Sequence, residues 1–261
     1  MDTSRDADPT LPAIARWEAF CYRSNRRPGV KICGLRDEET LLFTAQAGAD
    51  AVGLVFYPLS RRFVSLEEAR RLVNGLRRGL PPKVQPLVAG LFVRAPVEEV
   101  VRYAGELGLD LVQLQGDEDP SYLEQLRQRL EAEGLMTRVL LALACVDATE
   151  AVTRLPRLAR ELAAHGLIDA LMVDRRGTLP GGNGLPLEWS RLAALAAGRR
   201  TGELPLPWGL AGGLDPRSVE AACRQAEPDF VDVSSGVEKD GRKDGNLIRE
   251  FIMAVRKVGA I

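Results

Sequence analysis

From residue 30 onward, short runs rich in Val, Leu and Ala alternate with longer stretches whose apolar residues recur at helical spacing. This alternation predicts parallel strands joined by crossover helices. The strand-like runs are VKICGL (30–35), AVGLVFY (51–57), LVAGLFV (87–93), LVQLQG (111–116), RVLLALAC (138–145), ALMVD (170–174), LPWGLAGG (206–213) and FVDVSSGV (230–237). Helix signals lie between them. Ser65 and Glu68 stand at capping-box spacing, and Leu66, Ala69, Leu72, Val73 and Leu76 share one face of the helix they open. Asp119-Pro120 and Asp215-Pro216 each set an N-cap residue before a proline suited to the first helical position. Val97, Val100, Val101, Ala104 and Leu107 repeat the apolar stripe, as do Leu247, Ile248, Phe251, Ile252 and Val255. Eight β-α units in about 230 residues fit an α/β chain closed into a (β/α)8 TIM barrel better than an open doubly wound sheet, although the count alone leaves that rival standing.

The residues before the first strand read differently. Positions 1–28 form an N-terminal extension with a polar start, MDTSRDADPT, an expected helix from Pro12 to Tyr22 and a basic turn, RSNRRPG. The expected organisation is this extension followed by a single barrel domain over 29–261. The start is acidic where a signal peptide would be basic and then apolar, and no apolar run approaches the ~20 residues of a membrane-spanning helix, so the expected compartment is the cytoplasm. Thirty-five Lys plus Arg against 36 Asp plus Glu leave a formal net charge of -1. Neither a nucleic-acid backbone nor an anionic membrane is generally attracted, and an anionic small molecule must be caught locally. With 46% hydrophobic, 27% charged and 5% aromatic residues the chain is globular rather than disordered or collagen-like. Cys21, Cys33, Cys145 and Cys223 are scattered without a C-x-x-C pair, so no disulfide framework or zinc site is expected. The lone His165, at a helix end, leaves no basis for a histidine metal site or a Ser-His-Asp triad.

In a (β/α)8 barrel the chemistry gathers at the carboxyl ends of the strands. Ala211-Gly212-Gly213 follows the seventh strand and Ser234-Ser235-Gly236 the eighth. Amides bared by glycine, together with serine hydroxyls, make a phosphate cradle, whereas each loop alone reads equally as a tight turn. Gly181-Gly182-Asn183-Gly184 after the sixth strand is a further ligand-wrapping loop or a plain turn. Asp174 ends the sixth strand, where burial would raise its pKa and fit it to donate a proton; structural capping is the competing role. Cys33 ends the first strand in KICG and would accept a proton once ionised, although most cysteines are inert packing residues. Lys31, two residues earlier and so on the same side, is expected to favour the thiolate. Arg62, in Ser60-Arg61-Arg62 after the second strand, offers a fork for a substrate carboxylate, with a solvated surface arginine as the alternative.

In these motifs the chain resembles the phosphoribosylanthranilate isomerase family of tryptophan biosynthesis, from about Val30 to Val255. The specific pieces are VKICGL, GLVFYPLSRRFVS, VQLQG, Asp174 ahead of GGNG, WGLAGGLDPRSV and VDVSSGVEKDGRKD. The resemblance implies a (β/α)8 barrel without metal or organic cofactor, a monomer or homodimer, and an Amadori rearrangement of N-(5-phosphoribosyl)anthranilate. It implies Asp174 as the acid that opens the furanose ring and Cys33 as the base that removes the proton from the adjacent sugar carbon. It implies Arg62 on the anthranilate carboxylate and Gly182, Gly212, Gly213, Ser234, Ser235 and Gly236 at the phosphate. Asp232, facing inward with Ser234, is implied as a contact for the substrate's amine or hydroxyls. Gln115 stands in VQLQG where the family reads VQLHG; it keeps a hydrogen bond for the site but cannot titrate near neutral pH. GGNG in place of GGTG, and Glu188-Trp189 in place of Asp-Trp, retain hydrogen-bonding capacity. Two other readings compete. A related phosphosugar barrel such as the isomerase of histidine biosynthesis predicts two opposed aspartates, which Cys33 argues against. A non-catalytic barrel that binds a phosphorylated ligand needs neither Cys33 nor Asp174.

Overall fold

The computed structural model describes residues 13–22, 27–116, 118–175 and 188–258. Strands β1 (Gly29–Cys33), β2 (Ala51–Val55), β3 (Leu87–Phe92), β4 (Leu111–Leu114), β5 (Arg138–Cys145), β6 (Ala170–Arg175), β7 (Trp208–Leu210) and β8 (Phe230–Val233) run parallel in sequence order, and β8 pairs back onto β1. Closure decides for the barrel over the doubly wound sheet. Helix α1 (Ala13–Cys21) precedes the barrel; α2 (Glu38–Gln46), α3 (Leu66–Gly79), α4 (Val97–Leu107), α5 (Pro120–Ala132), α6 (Ala148–Ala164), α7 (Trp189–Thr201), α8 (Val219–Ala226) and α9 (Gly245–Arg256) follow the strands in turn. Between β8 and α9 lies a small antiparallel ribbon, β9 (Glu238–Lys239) with β10 (Arg242–Lys243). Among the described residues no helix is long and apolar enough to cross a membrane.

Local chemistry accounts for most element ends. The capping box forms: Glu68 N donates to Ser65 Oγ at 3.3 Å and Ser65 N donates to Glu68 Oε2 at 2.7 Å. Asp119 accepts from Tyr122 N at 2.9 Å and starts α5 at Pro120. The same expectation at Asp215-Pro216 is corrected. Asp215 Oδ1 accepts from Arg217 N at 2.9 Å and Ser218 N at 2.8 Å, closing a turn on itself, so α8 begins only at Val219. The runs read as strands to 213 and 237 leave the sheet earlier, after Leu210 and Val233.

Period-two alternation sorts the strand residues between two cores. Val30, Ile32, Val52 and Leu54 pack toward the surrounding helices, whereas Ala51, Ala89, Leu111, Ala142, Met172 and Phe230 fill the barrel. Trp17, Phe20 and Cys21 of α1 join the interior set, with the Phe20 and Phe230 rings 4.8 Å apart. A Cβ at Gly29 would collide with Phe20, so the start of β1 is glycine where α1 lies against it. Arg16 fastens the helix through Asp110 at 2.6 Å. Helix α1 thus closes the amino-terminal end of the barrel, leaving the carboxyl ends for chemistry.

Candidate active site

Pairing of β1 with β8 sets Lys31 opposite Asp232, so Lys31, Cys33 and Asp232 all aim into the barrel. Lys31 Nζ donates to Asp232 Oδ1 at 2.8 Å, and both side chains are buried. A Cβ at Gly53 of β2 would stand 2.8 Å from Cys33 Sγ and 3.2 Å from Lys31 Nζ; glycine leaves the room both groups occupy. Burial pulls the Lys31 ammonium down, but Asp232 and Cys33 more than offset it and hold lysine above its ordinary range. For Cys33 the balance runs the other way. Burial pushes the thiol up, and Lys31, which does pull toward the thiolate, fails to overcome it. Lys31 thus favours the thiolate, as its place on the strand predicts, but burial outweighs it and the resting group is a thiol.

Asp174 lies at the end of β6, with Gln115 of the loop after β4 donating from Nε2 to its Oδ2 at 2.7 Å. Gly212, with φ +84, packs against it; a Cβ there would stand 2.9 Å from Asp174 Oδ1 and 2.6 Å from Arg175 N. Burial, and then the negative charge of Asp232, push the Asp174 carboxyl up to about 6 against the hydrogen bond from Gln115. A carboxyl at this value still carries its proton part of the time near neutrality, which suits a proton donor. Cys33 and Asp174 share electrostatic neighbours, since Lys31 and Asp232 act on both.

The loops after β7 and β8 meet beside these groups. A Cβ on Gly236 would collide with the carbonyl oxygen of Leu214, so the two loops close only around glycine. Gly212 and Gly213 turn the first loop with φ of 84° and 73°. Ser234 Oγ donates to the Cys33 carbonyl at 3.0 Å, tying the second loop to the end of β1, while Ser235 is exposed at the start of a 3-10 turn, Ser235–Val237. Gly34 fits beneath the Arg62 side chain and Ser234. Gly182 lies, with the rest of its glycine loop, outside the described residues. Among the described residues no group of three or more His, Cys, Asp or Glu side chains is placed to hold a metal ion.

Arg62 reaches this wall, though not as a free fork. It is 8% exposed, and Glu238 takes Nε at 2.6 Å and Nη2 at 3.0 Å. Arg61 also bonds Glu238, at 2.5 Å, and Lys243 Nζ donates to Glu238 Oε1 at 3.0 Å and to the Ser234 carbonyl at 2.8 Å. Sequence reasoning misses Glu238 and Lys243: EKDGRKD enters only within the motif VDVSSGVEKDGRKD, and neither residue is given a role there. The available signal is the Asp240-Gly241 hairpin dipeptide, which sets Glu238 opposite Lys243 across the ribbon.

The chain is similar to known proteins along nearly the whole barrel. The family described as N-(5'phosphoribosyl)anthranilate (PRA) isomerase matches residues 30–254. An N-(5'-phosphoribosyl)anthranilate isomerase of Desulfitobacterium hafniense is 36% identical over 239 residues, covering 88% of this chain and 98% of that protein. The crystal structure of phosphoribosyl anthranilate isomerase from Thermotoga maritima superposes with a TM-score of 0.71 at 31% identity, covering 88% of this chain and 98% of that one. A phosphoribosyl anthranilate isomerase crystallised in complex with reduced 1-(o-carboxyphenylamino)-1-deoxyribulose 5-phosphate gives a TM-score of 0.67 at 30% identity, with the same coverage of 88% and 98%. A match spanning the whole barrel, with relatives covered nearly end to end, makes this chain a member of the N-(5'-phosphoribosyl)anthranilate isomerase family.

Proposed function

We propose that the chain converts N-(5'-phosphoribosyl)anthranilate to 1-(2-carboxyphenylamino)-1-deoxyribulose 5-phosphate, with Asp174 as acid and Cys33 as base. The observation that carries the assignment is a buried thiol and a carboxyl raised to about 6, at strand ends of one rim and under the same two charges, Lys31 and Asp232. A barrel that only held a phosphorylated ligand would have no use for this pair. Asp174 protonates the furanose ring oxygen, and the ring opens to a Schiff base. Cys33 as thiolate removes the proton from the adjacent sugar carbon, and the enolamine tautomerises to the ketone. One carbon of the sugar is reduced as its neighbour is oxidised, so hydrogen moves within the substrate.

At neutral pH both groups rest mostly in the opposite state, Asp174 ionised and Cys33 protonated. Substrate corrects this: its phosphate and carboxylate add negative charge that raises Asp174 further, and the iminium formed on ring opening favours a thiolate beside it. Gly212, Gly213, Ser234, Ser235 and Gly236 hold the phosphate, as the closing of the two loops supports. Arg62 takes the anthranilate carboxylate, Asp232 meets the substrate's amine or hydroxyls, and Gln115 positions Asp174. We assign the enzyme to the cytoplasm, as a monomer or homodimer whose catalytic unit is residues 29–261 with 1–28 appended; the family match over 30–254 supports the division.

A fluorescence assay of freshly made phosphoribosylanthranilate tests the roles. Cys33→Ser and Asp174→Asn are each expected to lose about 100- to 10,000-fold in kcat. Rates equal to wild type would end the assignment. A metal chelator is expected to leave the wild-type rate unchanged.

A further inference from the structure

We propose that Glu238, anchored by Lys243, is a positioning residue that holds Arg62 ready for the substrate's carboxylate. The inference rests on the reading of Arg62 given above. An arginine on a rim ordinarily gives up rotamer freedom when it grips a ligand. Here Glu238 has already fixed it, through Nε at 2.6 Å and Nη2 at 3.0 Å, and Gly34 packs against its stem. The edge carrying Nη1 has no partner among the described residues, and with the second hydrogen of Nη2 it forms the two-donor fork that matches a carboxylate. A carboxylate so close to a ligand carboxylate would ordinarily repel it. Around Glu238, however, stand Arg61, Arg62 and Lys243, so the cluster keeps a net positive charge.

Lys243 supplies the second half of the device. Its ammonium has three protons and three acceptors in reach: Glu238 Oε1 at 3.0 Å, the Ser234 carbonyl at 2.8 Å and Ser234 Oγ at 3.2 Å. It therefore ties the arginine's anchor to the serine loop after β8, fixing the spacing between the two anion-holding ends of the mouth. Burial pulls Lys243 down to about 8, yet Glu238 stays ionised because the hydrogen bonds and charges of Arg62 and Lys243 outweigh its own burial.

Steady-state kinetics of wild type, Glu238→Gln and Arg62→Gln on phosphoribosylanthranilate, with inhibition constants for anthranilate and for inorganic phosphate, test the proposal. Glu238→Gln is expected to raise KM and the anthranilate inhibition constant about 10-fold, with kcat and the phosphate constant within about twofold of wild type. Unchanged KM and anthranilate inhibition, with only a lower melting temperature, would reduce the contact to a structural ion pair and overturn the proposal. Equal weakening of phosphate would overturn it too, because the whole mouth would then have collapsed. Should Glu238→Gln not fold, Glu238→Asp keeps the charge but withdraws it by one methylene, and the same split between anthranilate and phosphate is expected; its absence counts against the role. If Arg62→Gln also keeps wild-type KM, the Arg62 reading is what fails, and if the wild type leaves phosphoribosylanthranilate untouched, the proposed function fails.

Discussion

The two rims of the barrel use the same residue types to opposite ends. At the amino-terminal rim an aspartate stands immediately before every second strand: Asp50, Asp110, Asp169 and Asp229. Their Oδ2 atoms accept from the backbone N–H of Val30, Val88, Val139 and Trp208 at 2.8, 2.9, 2.8 and 2.9 Å. Each aspartate N–H returns to the carbonyl of the same residue, at 2.9, 3.0, 2.8 and 2.9 Å. An arginine covers each: Arg256, Arg16, Arg127 with Arg138, and Arg199. The pattern repeats around the barrel and stitches neighbouring strands together. At the carboxyl rim no such pattern repeats among the described residues. Asp174, Asp232 and Glu238 each occur in a different setting, and their pairings leave edges open, such as the Nη1 side of Arg62. Repetition marks the rim that stabilises, and asymmetry marks the rim that reacts.

The largest break in this comparison is a matched pair of charge deletions. Asp174→Asn is expected to abolish most turnover, and Asp169→Asn to leave kcat per folded molecule within about twofold. Stability moves the other way. Asp169→Asn strands Arg127 and Arg138, which bond it at 2.8 and 2.7 Å, and is expected to lose about 3 kcal/mol. In a thermal melt that is a fall of roughly 6–12 °C. For Asp174 the folded carboxyl sits at about 6 against an ordinary 3.8, so the native state binds the proton more tightly than the unfolded chain. Its favourable contribution is present below the ordinary value and is lost as pH rises through about 6; above that, burying the carboxylate costs about 3 kcal/mol. Asp174→Asn should therefore raise the melting temperature at pH 7.5 and do little at pH 4, whereas Asp169→Asn should lower it at pH 7.5. A common sign for the two variants at pH 7.5 would erase the distinction between the rims.

The two rims also differ in how far they can be read from sequence. The strands are legible because apolar runs must alternate with amphipathic ones to build a barrel, and β5 occupies the span its run marks, Arg138–Cys145. The ends of β7 and β8 are not, because LAGG and SSGV carry no charge or proline to break the run yet turn away from the sheet. Cys33 and Asp174 are legible as strand-end polar residues in apolar surroundings, whereas Gln115 and Asp232 come only from the family resemblance. The Glu238–Arg62 clamp is not, since its partners lie 176 positions apart and a charged hairpin looks the same whether solvated or buried. The aspartate stitches escape for a similar reason: an aspartate before a strand looks like a turn until its backbone partner on the neighbouring strand is known. Burial also decides the Cys33 thiol, which Lys31 alone would have drawn toward the thiolate.

The smallest expected effect is also the most specific. Gln115 donates to the Asp174 carboxylate at 2.7 Å and holds its pKa down. Gln115→Leu removes a hydrogen bond to a charged group and should raise that pKa by about one unit. In the proposed mechanism Asp174 acts protonated and Cys33 ionised, the reverse of their resting states, so kcat/KM stops rising as pH passes the Asp174 pKa, and the acidic limb of the profile should move upward by the same amount. The counterpart beyond the site is Thr137, whose buried Oγ1 donates to the Leu109 carbonyl at 2.9 Å. Thr137→Val should lower stability by about 1 kcal/mol and leave the pH profile where it is. A limb that moves equally in both variants, or in neither, would mean that the hydrogen bond from Gln115 does not tune the acid and that the carboxyl rim differs from the other only in shape.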